Sequence, residues 1–361
     1  MSPLSYKTAT VDEVLTLLAK PQSIAICAHI NPDGDAVGSV LALGAMLEAG
    51  GHRVTRLLAQ EGQAPELYSF LEGFELIEAV VSDSAVASDG AAVSDGAAVP
   101  DGAAVPDGAV VPTKAPIEAP DLFIAVDTST KDRLGDAIPL FDRAATTLCI
   151  DHHPHYEGFA DYYYGDPCAA ATGTLVWQLI RASGVSITRE MAEACYVALI
   201  TDTGRFSFQN TNAEAFRAAE EMVAAGVDPA EISGRVFDSM SFGALQLSAR
   251  LISRIEFAAE GAVVFSWVTE DDFRELGVSR DETEGMPTLL RSVKGTKVAA
   301  LLREEADKVR VNLRAKGNGD VGAFARSFDG GGHKAAAGFT LTTSLEDARA
   351  LIRQEAGKLV L

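Results

Sequence analysis

The sequence predicts an α/β protein: a domain built on a parallel sheet, followed by a smaller C-terminal α/β domain. Two observations carry this. Short apolar runs that read as buried strands alternate with longer segments that are apolar at helical spacing. Acidic and histidine motifs close several of the strand-like runs, and the C-terminal ends of parallel strands are where open α/β sheets bind ligands. The length, 361 residues, suits about two domains.

In chain order, residues 23–28 form an apolar run read as a strand, and residues 35–49 (DAVGSVLALGAMLEA) a helix that Gly50 and Gly51 end. Residues 53–59, 122–126 and 147–150 read as further strands, the last two running into aspartates. Helices are expected over 172–182, 190–199, 213–225 and 243–257, with a break near 231–241. After it come strands at 262–268, 297–302 and 308–314 and a helix near 321–328. A Gly330-Gly331-Gly332-His333-Lys334 cluster, a strand at 338–341 and a helix at 344–358 complete the chain. The expected organisation is a first domain at 1–230, a linker at 231–245 and a second domain at 246–361.

Residues 88–111 repeat a hexapeptide: SDGAAV, SDGAAV, PDGAAV, PDGAVV. Hexapeptide repeats build β-helices, but four hexads make little more than one coil, which cannot bury its own core. The segment 82–118 is read as a low-complexity inserted loop.

Composition sets further bounds. No apolar run approaches the roughly 20 residues of a membrane helix, and the N-terminus lacks a signal-peptide apolar region. The cytoplasm is the expected compartment. Cys27, Cys149, Cys168 and Cys195 form no CxxC pair and are read as reduced and mostly buried. The net charge of −21 disfavours long nucleic acid unless a basic groove is built locally. Residues 296–338 are the exception, with eight Lys/Arg against five Asp/Glu.

Three of the six histidines fall in acidic motifs. In His29-Ile30-Asn31-Pro32-Asp33-Gly34-Asp35, Pro32 and Gly34 forbid regular structure, so the side chains can converge. One aspartate would suffice to cap the following helix; two beside a histidine point to a metal. Asp127 ends a strand, and a single carboxylate there can bridge two ions. In Asp151-His152-His153 the consecutive histidines face different ways, one toward metal and the other toward substrate. Asp202 closes an apolar helix, where the helix dipole disfavours an anion and a nearby cation would resolve the conflict. Carboxylates mixed with a few imidazoles suit Mn²⁺, Mg²⁺ or a similar ion. Glycines 330–332 let main-chain amides approach an anion, with His333, Lys334 and Arg314 as cationic or polar donors. His52 and His155 are expected at the surface, Trp177 in the core and Tyr162–Tyr164 in sheet packing.

These motifs, together with 125–129 (AVDTS) and 199–204 (LITDTG), resemble the DHH phosphoesterase superfamily. Residues 330–339 (GGGHKAAAGF) resemble the glycine-rich motif of the DHH-associated C-terminal domain. The likeness covers nearly the whole chain and is strongest to the NrnA-type bifunctional oligoribonucleases and 3′-phosphoadenosine-5′-phosphate (pAp) phosphatases. The hexapeptide insertion departs from that pattern.

The resemblance implies two Mn²⁺ ions, with Mg²⁺ or Co²⁺ as alternatives. His29, Asp33 and Asp127 would hold one, and Asp35, Asp127, His152 and Asp202 the other. It implies His153 and Asp127 as catalytic residues, and Arg314, Gly331, Gly332 and His333 as substrate-binding residues, with the active site in the cleft between the domains. The implied activity is degradation of short single-stranded RNA to mononucleotides and dephosphorylation of pAp and similar small nucleotides, without a membrane. Assembly stays open between a monomer and a homodimer. The alternatives are a cyclic-di-AMP or pApA phosphodiesterase and, from another class, a non-catalytic nucleotide-binding protein.

Overall fold

The computed structural model describes residues 7–80, 117–283, 285–317, 319–332 and 334–360. The hexapeptide repeat and His333 lie outside the described residues. The chain divides into two compact units, Met1–Ile232 and Ser233–Leu361.

The first unit runs β1 (Lys7–Thr8), α1 (Val11–Leu17), β2 (Ser23–Cys27), α2 (Gly34–Ala49), β3 (Arg53–Leu58), β4 (Ile77–Ala79) and β5 (Leu122–Val126). It continues with α3 (Ile138–Phe141), β6 (Thr146–Asp151), β7 (Tyr162–Gly165), α4 (Thr172–Ser183), α5 (Arg189–Asp202) and α6 (Ala213–Ala224), and the boundary after Ile232 falls within α7 (Pro229–Phe237). The seven strands form one sheet in the order β1-β7-β6-β5-β2-β3-β4. Every pairing in it is parallel. Strands buried on both faces need no polar alternation, and all five residues of β5, Leu-Phe-Ile-Ala-Val, are buried. Ala25, Cys27, Phe123, Ala125 and Cys149 pack with Leu134 and Phe141 into one core. Alternate residues Ile24, Ile26, Leu122, Ile124 and Ile150 are equally buried and, by strand periodicity, serve the other face.

α2 packs on α4 and α5. The approach is very close. A Cβ on Gly38 would stand 2.3 Å from the Ala194 carbonyl oxygen, and one on Gly34 would stand 2.5 Å from the Thr201 side chain. Glycine at these places draws the start of α2 against α5, and Asp35 and Asp202 are carried on those two helices.

The second unit contains α8 (Phe242–Ser253), β8 (Glu256–Ala258), β9 (Val263–Val268), α9 (Glu270–Leu276), α10 (Met286–Arg291) and β10 (Val298–Glu305). β11 (Lys308–Ala315), α11 (Val321–Arg326), β12 (Gly331–Gly332), β13 (Ala336–Leu341) and α12 (Leu345–Leu359) follow. Its sheet has the order β12-β13-β11-β10-β9-β8 and is mixed, since β9 and β10 pair parallel and the other pairs are antiparallel. One face carries Phe265, Val311, Leu313 and Phe339 under α11 and α12; the other carries Val264, Ala299 and Leu301 under α8 and α10.

Several local expectations need correction. The helix expected over 243–257 ends at Ser253, and residues 256–258 instead pair antiparallel with β9. Apolar residues continue past the helix end (Ile255, Phe257), so periodicity does not mark it; backbone pairing with Phe265 does. The expected break near 231–241 is largely helical, with α7 reaching Phe237. His52 is buried, not at the surface: its amide donates to the Leu47 carbonyl at 3.1 Å in the turn closing α2. Cys168 is exposed, whereas Cys27, Cys149 and Cys195 are buried, and all four are free thiols. His155 is exposed, Trp177 is buried with its indole N–H on Glu221 at 2.8 Å, and Tyr162–Tyr164 lie in β7. No helix among the described residues is long and apolar enough to cross a membrane.

Candidate metal centre

β2 and β5 are neighbours, and the chain leaves them in opposite directions, toward β3 and toward β6. That reversal of strand order opens a crevice at the C-terminal edge of a parallel sheet. His29 follows β2, Asp127 follows β5, and Asp151-His152-His153 straddles the end of β6. Asn31 (φ 53°) and Asp127 (φ 55°) both adopt left-handed backbone there. Such geometry is tolerated by Asn and Asp but costs energy, and it recurs where side chains must be aimed. The Asp127 amide is held by the Ile150 carbonyl at 2.9 Å.

One group of side chains is His29, Asp33 and Asp127, with their ligand atoms all within 4.8 Å of one another. His29 Nε2 lies 3.4 Å from Asp127 Oδ2 and 4.0 Å from Asp33 Oδ1. Its Nδ1 contacts the Ile30 carbonyl at 2.8 Å. A carbonyl can only accept, so Nδ1 carries the proton and Nε2 keeps its lone pair for the crevice. Asp33 also caps α2, accepting from the Asp35 and Ala36 amides at 3.1 Å each. Capping and convergence on His29 therefore coexist in one carboxylate.

The other group is Asp35, His152 and Asp202, again with ligand atoms within 4.8 Å. His152 Nε2 stands 3.7 Å from an oxygen of each of Asp35, Asp127 and Asp202. Its Nδ1 meets the Ala169 carbonyl at 3.2 Å, which fixes the same tautomer as in His29. Asp35 is buried and faces the start of α4, accepting from the Thr172 amide at 2.7 Å, the Gly173 amide at 2.8 Å and Ser39 Oγ at 3.1 Å. α4 has no side-chain cap of its own, so Asp35 caps it from a distant part of the chain. Asp127 adjoins both groups, and with His152 and His153 it forms a further one: Oδ2 faces His29, while Oδ1 faces His152 and accepts from Thr172 Oγ1 at 3.0 Å.

His153 is held differently. Its Nδ1 lies 2.6 Å from Asp151 Oδ1 and 3.7 Å from Asp127 Oδ1. Asp151 is fully buried, and its Oδ2 has no hydrogen-bond partner among the described residues.

Burial and crowding perturb these groups strongly. Burial and the neighbouring Asp127 push the Asp35 carboxyl well up, although His152 opposes the shift. Burial raises Asp202 to about 6. Burial also acts to raise Asp127, but the imidazoles of His29, His153 and His152 around it outweigh this, and the net shift is down. Burial alone would lower His152; the carboxylates of Asp202, Asp35, Asp127 and Asp151 reverse this and lift it to about 10. His153 follows the same logic, with Asp151 the leading cause of its rise.

Four carboxylates, that of Asp33 half-exposed, and two imidazoles whose Nε2 atoms face them form a donor set short of positive charge. It fits divalent cations that accept oxygen and imidazole nitrogen. The six residues named as ligands from the sequence are thus all brought together. Of the expected substrate residues, Arg314 is half-buried on β11, and Gly331 and Gly332 form the exposed strand β12. Gly332 (φ 128°) leaves no room for a Cβ, which would stand 2.5 Å from the Ala336 carbonyl oxygen. The sequence reading missed the residues that hold the ligands in place: Ser39, Asp151 as partner of His153, Thr172, Gly173 and Asn210, whose Nδ2 donates to Asp202 Oδ2 at 2.9 Å.

Residues 23–199 match the DHH family N-terminal domain, and residues 260–358 match the DHHA1 domain. The chain is 30% identical over 340 residues to the bifunctional oligoribonuclease and PAP phosphatase NrnA of Thermus thermophilus, covering 93% of this chain and 88% of that protein. It is 25% identical over 223 residues to the protein of the same name from Bacillus subtilis, covering 61% of this chain and 70% of that one. The fold is similar to the crystal structure of an exopolyphosphatase-related protein from Bacteroides fragilis, with a TM-score of 0.81 at 22% identity over 96% of this chain and 95% of that one.

Proposed function

The chain belongs to the DHH family and is a hydrolase, and from that premise we propose that it is a Mn²⁺-dependent phosphoesterase that degrades short oligoribonucleotides to mononucleotides and dephosphorylates pAp to AMP. One observation carries the reading beyond family membership: the two oxygens of Asp127 face two separate groups of candidate ligands. A carboxylate so placed holds two cations close together.

In this reading His29, Asp33 and Asp127 hold one ion, and Asp35, Asp127, His152 and Asp202 hold the other. When bound, the ions supply Lewis acidity, making water a stronger nucleophile near neutral pH and offsetting charge on the phosphoryl oxygens. The protein's own groups do the rest. Asp151 fixes the Nδ1–H of His153 and so orients the ring that would meet the scissile phosphate or the departing oxygen. Against the opposing effect of burial, the Asp151 carboxylate raises the His153 pKa and so favours the protonated form, which can donate where negative charge develops. Arg314, Gly331, Gly332 and His333, in a segment richer in Lys and Arg than the rest of the chain, grip the nucleotide end. The acidic remainder disfavours long RNA and leaves short oligomers and mononucleotides as substrates. The free thiols suit a reducing compartment, the cytoplasm.

The test is hydrolysis of a length series of labelled RNA from the dinucleotide upward, with pAp in parallel, in Mn²⁺ and after chelation. The expected result is Mn²⁺-dependent release of mononucleotides that slows with length, together with conversion of pAp to AMP. Hydrolysis of cyclic-di-AMP or pApA with pAp and short RNA untouched would replace this reading with the dinucleotide one.

A further inference from the structure

Residues 168–173 run from the loop after β7 into the start of α4, and side chains bind their main chain along its length, among them candidate metal ligands and one residue that holds a ligand. Asn212 Nδ2 donates to the Cys168 carbonyl at 2.8 Å. His152 Nδ1 donates to the Ala169 carbonyl at 3.2 Å. Asn210 Nδ2 donates to the Ala170 carbonyl at 2.8 Å. The Thr172 and Gly173 amides then donate to Asp35. Through this short segment the three members of one group, Asp35, His152 and Asp202, are tied to a common piece of backbone; the link to Asp202 runs through Asn210.

Asn210 is the member of this network whose chemistry is most one-sided. Its Nδ2 lies 2.9 Å from Asp202 Oδ2, 3.1 Å from the Asp202 carbonyl oxygen and 2.8 Å from the Ala170 carbonyl oxygen. Two N–H bonds serve three acceptors, so one is shared. The amide oxygen, Oδ1, is buried with no hydrogen-bond partner among the described residues. Turning the amide over would set Oδ1 against three oxygens, so the acceptors fix its orientation. An unpaired buried oxygen is unfavourable, and the three acceptors gathered around Nδ2 offset that cost. The His29, Asp33 and Asp127 group has no hydrogen bond to this segment among the contacts described, apart from Thr172 Oγ1 on Asp127.

We infer that Asn210 is a positioning residue for one of the two cations: by clamping the Asp202 carboxylate to the Ala170 carbonyl, it sets the ion held by Asp35, His152 and Asp202 and leaves the ion of His29 and Asp33 largely unaffected. The inference rests on the two-ion reading proposed above. Outer hydrogen-bond partners of metal ligands are commonly worth about 10–100-fold in affinity, and Asn210 should fall in that range for one binding event only.

The experiment is a Mn²⁺ titration of the metal-free full-length chain by calorimetry, with electron paramagnetic resonance to detect spin-coupled ion pairs. Wild type and Asn210→Ala are compared, and thermal melting of the metal-free proteins reports the fold. The expected result is an unchanged first binding event, a second weakened by about 10–100-fold, and loss of the coupled-pair signal at concentrations that saturate wild type. If Asn210→Ala does not fold, Asn210→Ser, which keeps a donor but cannot span the three acceptors, carries the same expectation. Two events with wild-type affinities in the variant, or both weakened equally, would overturn the inference while leaving the two-ion reading intact. Uptake of a single ion by wild type would overturn that reading and this inference with it.

Discussion

His153 Nδ1 lies 2.6 Å from Asp151 Oδ1, whereas the adjacent His152 meets a main-chain carbonyl with the same atom. A carbonyl only orients an imidazole; a carboxylate also stabilises its protonated form. In the proposed mechanism the neighbouring histidines are thereby prepared for different work, His152 to ligate through Nε2 and His153 to donate a proton or a charged hydrogen bond.

Asp151→Asn should therefore act on chemistry and spare ion binding. Asp151 is the main cause of the raised His153 pKa, so its loss lowers that pKa. The alkaline limb of the kcat profile should move to lower pH, and kcat at neutral pH should fall by about 10²-fold or more, the scale of a general acid's contribution. Mn²⁺ content should stay near wild type. A pH profile with an unmoved alkaline limb would separate Asp151 from His153 function.

Gly38→Ala tests how the helices converge on the site. The new Cβ would stand 2.3 Å from the Ala194 carbonyl oxygen, which is main chain and cannot rotate away, so α2 and α5 must separate. The expected loss of stability is about 1–3 kcal/mol, read by chemical denaturation. Mn²⁺ affinity should fall as well, because Asp35 and Asp202 ride on the two helices. A destabilised variant with unchanged Mn²⁺ affinity would show that the ligands tolerate the shift.

Asp272 should contribute to the acid sensitivity of the second unit. It is buried, accepts from Arg250 at 2.8 Å and from both terminal nitrogens of Arg254, and closes a capping box with Thr269 at the start of α9. Burial works to raise its pKa, but the hydrogen bonds of Arg254 and Arg250 prevail and hold it well below the usual carboxylate value. A group with a lowered folded pKa stabilises the fold above its unfolded pKa, about 3.9, and loses that contribution as pH falls through the folded value. Asp272→Asn should thus destabilise the second unit by about 3 kcal/mol near neutral pH, and the gap to wild type should narrow as pH drops below about 4. Denaturation curves at a series of pH values decide it; a gap that stays constant with pH would rule out this linkage.

The candidate ligands are legible in the sequence because His29, Asp33, Asp127 and His152 follow strands at places where Pro32, Gly34 or a strand end prevents regular structure. The residues that hold them are not. Thr172 and Gly173 bind Asp35 from 137 and 138 positions away, and nothing in their residue types marks a role. Asn210 reads as an ordinary turn residue until its amide is seen against Asp202. Strands and helices with a strong apolar period were recognised nearly to the residue, as in β5 and α4. Short helices such as α9 and α10 carry too few turns for a period to register, and the boundary between α8 and β8 falls inside a continuous apolar pattern.

His333→Ala addresses the proposed grip on the nucleotide. Activity on short RNA and on pAp should fall by a shared factor of about 10–1,000 from lost charge-assisted contacts. Mn²⁺ binding should be unaffected, since the ligands belong to the first unit. Bis-p-nitrophenyl phosphate, which offers no nucleotide to hold, should lose less. Equal loss on all three substrates together with lost Mn²⁺ would make His333 a structural residue or a ligand.

The central claim is that Asp127 joins two cation sites into one hydrolytic centre, and Asp127→Asn is its most direct test, because the side chain keeps its shape while losing the charge that both groups share. Mn²⁺ bound per chain and the rate of pAp hydrolysis are measured on the same preparations. The account predicts two ions and Mn²⁺-dependent turnover for wild type. For the variant it predicts fewer than two ions and a rate lower by at least about 10³-fold, the scale of removing a strong electrostatic contribution from a transition state. Turnover near the wild-type rate in Asp127→Asn, with its ions retained, would contradict the account.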